Sequence, residues 1–154
     1  MIDRFMKIAV EEALAGIKKN SGGPFGAVIV QKGKIIAKAH NQVFKSHDPT
    51  AHAEIVAIRK ACAKLKTFNL SDCELYSSCE PCPMCYSAAR WARIKKVFFG
   101  CTSKDAEKNG FDDGGILNEI RGKAKKKILM RQLNRKECLP AFEEWKQRKP
   151  KKNY

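Results

Sequence analysis

Apolar residues recur along this chain with two periods, one helical and one of strand type. Phe5, Ile8, Ala9, Leu14 and Ile17 return at near-helical spacing with Lys and Glu between them, so residues 3 to about 18 read as an amphipathic helix. Asn20-Ser21-Gly22-Gly23-Pro24 breaks it. Phe25 to Val30 is a continuous apolar run of strand type. Gln31-Lys32-Gly33-Lys34 is a turn, and Ile35 to His40 returns as a second strand, which completes a hairpin. After a polar loop over 41–49, Asp48-Pro49-Thr50 predicts a helix start, with Asp48 as cap and Pro49 in the first turn. That helix runs to about Lys66 on a stripe of Ile55, Ile58, Cys62 and Leu65.

The remaining pattern alternates strand and helix. Cys73–Ser77 reads as a short strand, and Lys96–Gly100 as another. Between them, Glu80 to about Ile94 reads as a helix that tolerates Pro81 and Pro83 in its first turn. Strand, helix, strand at this spacing predicts a parallel βαβ unit. Residues 101–115 read as a Gly-containing loop, 116–121 as a short helical piece, Lys127–Leu133 as a fifth strand and Glu137 to about Arg148 as a last helix. The tail from Lys149 to Tyr154 reads as unstructured in isolation. The sum is an α/β fold of three α/β/α layers with a mixed sheet of about five strands. Residues 1–154 read as a single domain, without internal repeat.

Composition adds the compartment and the charge. No run approaches the length of a membrane span. Asp3, Arg4, Lys7, Glu11 and Glu12 interrupt the apolar residues of the N-terminus, so it lacks the h-region of a signal peptide, and a cytoplasmic location is the expectation. Seven cysteines, an odd number, argue for reduced thiols rather than a disulfide framework. The net charge of +15 suits either a nucleic-acid partner or a solvated lysine surface. The basic residues are dispersed and not interleaved with aromatics as a stacking platform would be, which favours the solvated surface.

Two short motifs carry the chemistry: His52-Ala53-Glu54 and Pro81-Cys82-Pro83-Met84-Cys85. One His and two Cys can hold a tetrahedral Zn²⁺ and leave its fourth position to water. Both motifs fall at predicted helix starts, where free N–H groups and the helix dipole favour thiolates. Cys82 and Cys85 are three apart and share a face. Glu54, two residues from His52, is placed to handle the proton of that water. A structural zinc site would carry four protein ligands. Cys79 is left out of the ligand set, because a third thiolate would close the water position. His40 and His47 have no partner spacing and read as strand-end and loop residues.

His-x-Glu followed by Pro-Cys-x-x-Cys is the signature of zinc base deaminases. The chain resembles the cytidine deaminase superfamily, and within it the small guanine deaminases of bacterial type. The resembling residues are Gly22-Gly23-Pro24-Phe25-Gly26-Ala27-Val28, Asn41, Asp48 to Glu54, Ser78 to Cys85, Trp91-Ala92-Arg93 and Gly110-Phe111-Asp112-Asp113, with Tyr154 at the end. The resemblance implies one zinc per chain on His52, Cys82 and Cys85, with Glu54 as proton shuttle. It implies attack of zinc hydroxide on C2 of guanine after Glu54 protonates N3, giving xanthine and ammonia. Asn41, Phe25, Ala53, Trp91, Asp113 and Tyr154 would contact the base, with Asp113 also taking part in catalysis. An acceptor-only carboxylate suits the N–H donors that guanine presents at N1 and its amino group. The resemblance further implies a homodimer in which residues 135–154, the last helix and tail, are exchanged and close the partner's pocket.

The zinc motifs alone leave other bases open. Deaminases of guanosine, cytosine, triazine amines or tRNA adenosine share them, and the lysine-rich C-terminal third, notably Lys123–Lys127, matches the family least. From another class, a nucleic-acid-binding module with a structural zinc would leave Glu54 and the open position unexplained.

Overall fold

In the computed structural model, residues 3–111 and 113–147 are described. Helix α1 (Arg4–Lys18) is capped by the Asp3 carboxylate, which accepts the N–H groups of Phe5 and Met6. Strands β1 (Gly26–Gln31) and β2 (Lys34–His40) form the expected hairpin. Strand β3 (Cys73–Cys79) lies antiparallel to β1 on its other side, and β4 (Lys96–Cys101) lies parallel to β3. The order is β2-β1-β3-β4. Strand β1 is buried along almost its whole length, which is why it reads as an unbroken apolar run rather than an alternation.

The strands divide their side chains between two faces. Val28, Val30 and Tyr76 meet Phe5 and Ala9 of α1. Ala27, Ile29 and Leu75 meet Ala57, Ile58 and Ala61 of helix α3 (Ala53–Leu65), with Ala89 of helix α4 (Pro83–Trp91) beside them. Helices therefore cover both faces of a mixed sheet, and the β3-α4-β4 unit is parallel as expected. No helix of the described residues is long and apolar enough to cross a membrane.

The described residues contain four strands, not about five. Residues 127–133, expected as the fifth, form no strand, and Ile128, Leu129, Met130 and Leu133 are 66–92% exposed. Their apolar pattern is that of a strand, but within this chain the segment does not return to the open edge of β4.

Helix α3 begins at Ala53 with His52 as its N-cap, later than expected. Asp48 does not cap it. Its carboxylate takes the N–H and hydroxyl of Thr50 instead, closing a local turn. Two short helices, α2 (Val43–Ser46) and α5 (Ser103–Glu107), lie in stretches that read as loops, the second fixed by a Thr102–Asp105 capping box. Helix α4 starts with Cys82 as N-cap rather than at Glu80, and β3 and β4 run on to Cys79 and Cys101. Helix α6 (Gly114–Ile120) and helix α7 (Arg135–Gln147) fall close to their expected places.

Candidate active site

The two helix starts bring the motif residues together. His52 caps α3 and Cys82 caps α4, while Cys85 lies in the first turn of α4 and is fully buried. His52 Nδ1 stands 3.6 Å from Cys82 Sγ and 3.5 Å from Cys85 Sγ. In a zinc tetrahedron with Zn–N of about 2.05 Å and Zn–S of about 2.3 Å, nitrogen and sulfur are separated by about 3.6 Å. Both N···S pairs stand at about that spacing, all three donor atoms lie within 4.8 Å of one another, and they form the one His/Cys/carboxylate group of metal-binding geometry among the described residues. The donor set therefore fits zinc.

The protonation of the cluster favours a cation. A hydrogen bond from Cys85 and a second from His52 hold the Cys82 thiol down, to about 4. The same bond to Cys82, with burial, pushes Cys85 up. The Cys82 interaction in turn raises His52. One thiolate is thus present at neutral pH, and a bound dication would release the second thiol proton.

Glu54 lies in the first turn of α3, 5% exposed, and burial raises its pKa. Its Oε1 accepts the Ser77 hydroxyl at 3.2 Å. A carboxyl group whose pKa is raised by burial, set beside a cluster that could hold a metal, is suited to accept and return a proton. Cys79, three residues before Cys82, stands outside the cluster. Its Sγ points to Thr102 O at 3.6 Å, and burial pushes its thiol up to about 11. His40, expected as a strand-end residue, closes β2 and pairs with Glu12.

A cavity of about 250 Å³ opens onto this cluster. That is smaller than the roughly 300–1,000 Å³ that houses drug-sized ligands. His52, Glu54 and Cys82 lie on its wall, with Asn41, Phe25 and Asp113 around it. Asn41 is 4% exposed, and its Oδ1 accepts the Val43 N–H at 3.1 Å. A Cβ at Gly22 would overlap that oxygen, so glycine is needed for the amide to sit there. Phe25 packs edge to face on Phe111, and a Cβ at Gly23 would press on both rings.

The other expected contacts fall differently. Ala53 is fully buried at the start of α3 and does not line the cavity by its side chain. Trp91 ends α4, 62% exposed and off the cavity. It lies eight residues beyond Pro83, about 12 Å along the helix axis. Tyr154 lies outside the described residues.

Several residues of the site were not among those expected: Val43, Phe44, Pro49 and Ala106 line the cavity, as does Phe111, and Ser77 stands behind Glu54. Phe111 lines the cavity, but the turn-like string around it gave no sign of that role. Ser77 had a signal: it is a hydroxyl on the inward face of β3, between Leu75 and Cys79.

Residues 1–101 match the family described as the cytidine and deoxycytidylate deaminase zinc-binding region. The guanine deaminase of Bacillus subtilis (strain 168) is 48% identical over 153 residues, 99% of this chain and 98% of that protein. A tRNA-specific adenosine deaminase of Aquifex aeolicus (strain VF5) is 49% identical over 100 residues, 65% of this chain and 66% of its own. The X-ray structure of the Bacillus subtilis guanine deaminase superposes with a TM-score of 0.93 at 48% identity, covering 99% of both chains.

Proposed function

The chain belongs to the cytidine and deoxycytidylate deaminase family, and from that membership we propose that it hydrolyses guanine to xanthine and ammonia as a zinc-dependent aminohydrolase. The observation that carries the choice of guanine is the extent of the likeness. The match to a guanine deaminase runs over 99% of the chain, through its C-terminal third, whereas the matches to tRNA deaminases span 62–82% of it. A cavity near 250 Å³ also suits a free base.

His52, Cys82 and Cys85 would hold the zinc, which would act as a Lewis acid and lower the pKa of water to about 7. Glu54 takes the proton of the attacking water and places it on N3, which makes C2 electrophilic. After water oxygen has bonded to C2, Glu54 carries the remaining proton to the amino group, and the C2–N bond breaks to release ammonia. Guanine plus water thus balances xanthine plus ammonia.

Asn41, with its oxygen held by Val43 N–H, offers its NH₂ group to an acceptor on the base. Asp113 accepts from N1–H and the amino group, and Phe25 forms an apolar wall. The first-turn N–H of Ala53 has no acceptor within α3 and serves as a further donor.

The chain acts as one domain within a homodimer that exchanges residues 135–154, so that the partner's Tyr154 closes the pocket. The open edge of β4 and the exposed apolar residues of 128–133 and α7 support this reading. All seven cysteines are free, which suits the cytoplasm and purine breakdown or salvage there.

Incubating the zinc protein with guanine, guanosine, adenine, cytosine and tRNA tests the assignment. Xanthine and ammonia from guanine are expected. Turnover of another substrate with none of guanine would overturn the choice of base.

A further inference from the structure

Strand β3 sends Cys73, Leu75, Ser77 and Cys79 toward the same face. Leu75 there is fully buried in the apolar core, and Ser77, 1% exposed, has the position of a core residue. A hydroxyl at such a place is unfavourable unless it is bonded. Ser77 Oγ donates to Glu54 Oε1 at 3.2 Å, so the two buried polar groups satisfy one another across the α3–β3 interface. The neighbouring Ser78 faces the other way and takes the Gly26 N–H at 3.0 Å, so the two serines are not interchangeable.

We propose that Ser77 is the positioning residue for Glu54: its hydroxyl fixes one carboxylate oxygen and leaves the second to carry the proton. The Ser77 hydroxyl is a side-chain donor that the structure places on the Glu54 carboxylate, and it is not one of the groups that would bind the metal. This rests on the reading of Glu54 as the proton carrier.

The test compares Ser77→Ala, Ser77→Thr and Ser77→Val in the zinc-loaded enzyme. Thr and Val have nearly the same shape, so their difference isolates the hydroxyl from packing. Removing a group that orients a reacting side chain at a metal site costs about 10–100-fold. We expect that loss in kcat for Ser77→Ala and Ser77→Val, with KM within about twofold and one zinc per chain retained. Ser77→Thr should recover most of the kcat.

A thermal-unfolding cycle of Ser77→Ala with Glu54→Ala gives a readout independent of activity. Coupled residues shift the melting temperature non-additively. Equal kcat in the Thr and Val variants, or additive melting shifts, would overturn the proposal. Glu54→Gln with undiminished kcat would instead remove the reading beneath it, whatever the Ser77 variants do.

Discussion

Phe25 and Phe111 meet edge to face, with ring centroids 4.9 Å apart and planes at 82°. One follows the Gly22-Gly23-Pro24 break and the other follows α5, so the contact ties two loops into one wall of the cavity. Such a pair contributes about 0.5–1.5 kcal/mol beyond its buried area. Phe111→Ala should therefore lower kcat/KM for guanine by up to roughly tenfold, mainly through KM. Steady-state kinetics on guanine measure this. A loss confined to kcat would show that the wall does not hold the base.

Glu54→Gln keeps the size of the side chain and removes the basic oxygen. The expected result is a kcat lower by about 10²–10⁴-fold with zinc content unchanged. Metal analysis beside kinetics decides it, because a variant that has lost both zinc and activity says nothing about proton transfer.

Removing the metal should loosen the fold as well as stop the reaction. His52 and the two cysteines join the starts of α3 and α4, so a bound ion links two helices packed on the same face of the sheet. At a free zinc concentration 100 times its Kd the native state gains about 2.7 kcal/mol. For a chain of this size that is roughly 5–10 °C in melting temperature. Chelation should lower the melting temperature by that order, and zinc should restore it. His52→Ala and Cys82→Ala should melt near the chelated value and show no response to zinc.

Glu12 links α1 to β2 through Lys38 at 3.0 Å and His40 at 3.2 Å, next to Asn41. Burial raises its pKa, but the hydrogen bonds from Lys38 and His40 outweigh it and hold the carboxyl below 4.5. A lowered folded pKa means stability that is present above the unfolded value and lost as pH falls through the folded one. Glu12→Gln should cost about 1 kcal/mol or less at pH 7, since the pair is partly exposed. The melting difference from the parent chain should fade as pH drops below 4.5. A difference independent of pH would assign it to packing.

Exchange of the C-terminal segment predicts a particle of twice the 17.3 kDa chain mass in light scattering. Deleting Asn153 and Tyr154 should leave that mass unchanged and reduce guanine turnover. Unchanged turnover would make the tail only a tail.

The His52, Cys82 and Cys85 group, which could hold a metal ion, was legible because its chemistry is local. His52, Glu54, Cys82 and Cys85 sit at two helix starts, and the spacing within each motif does not depend on the rest of the fold. The hairpin and the βαβ unit were legible for the same reason, since period and turn residues define them. Residues 127–133 were not, because an apolar alternation states that a strand face exists but not which edge receives it. Trp91 and Phe111 carry the converse lesson. Both lie in stretches that resemble the family, yet Trp91 is off the cavity and Phe111 is on its wall, since loop closure decides which ring reaches the site. Ser77 was open to reading only once the face of β3 was known.

The most direct measurement of the central claim is guanine hydrolysis in oxygen-18-labelled water, with the products read by mass spectrometry. Zinc-loaded protein should give xanthine carrying one labelled oxygen at C2 and one ammonia for each xanthine, and Glu54→Gln should give both about 10²–10⁴-fold more slowly. Recovery of unlabelled guanine by an enzyme with zinc bound, or label at any other carbon, would contradict the account.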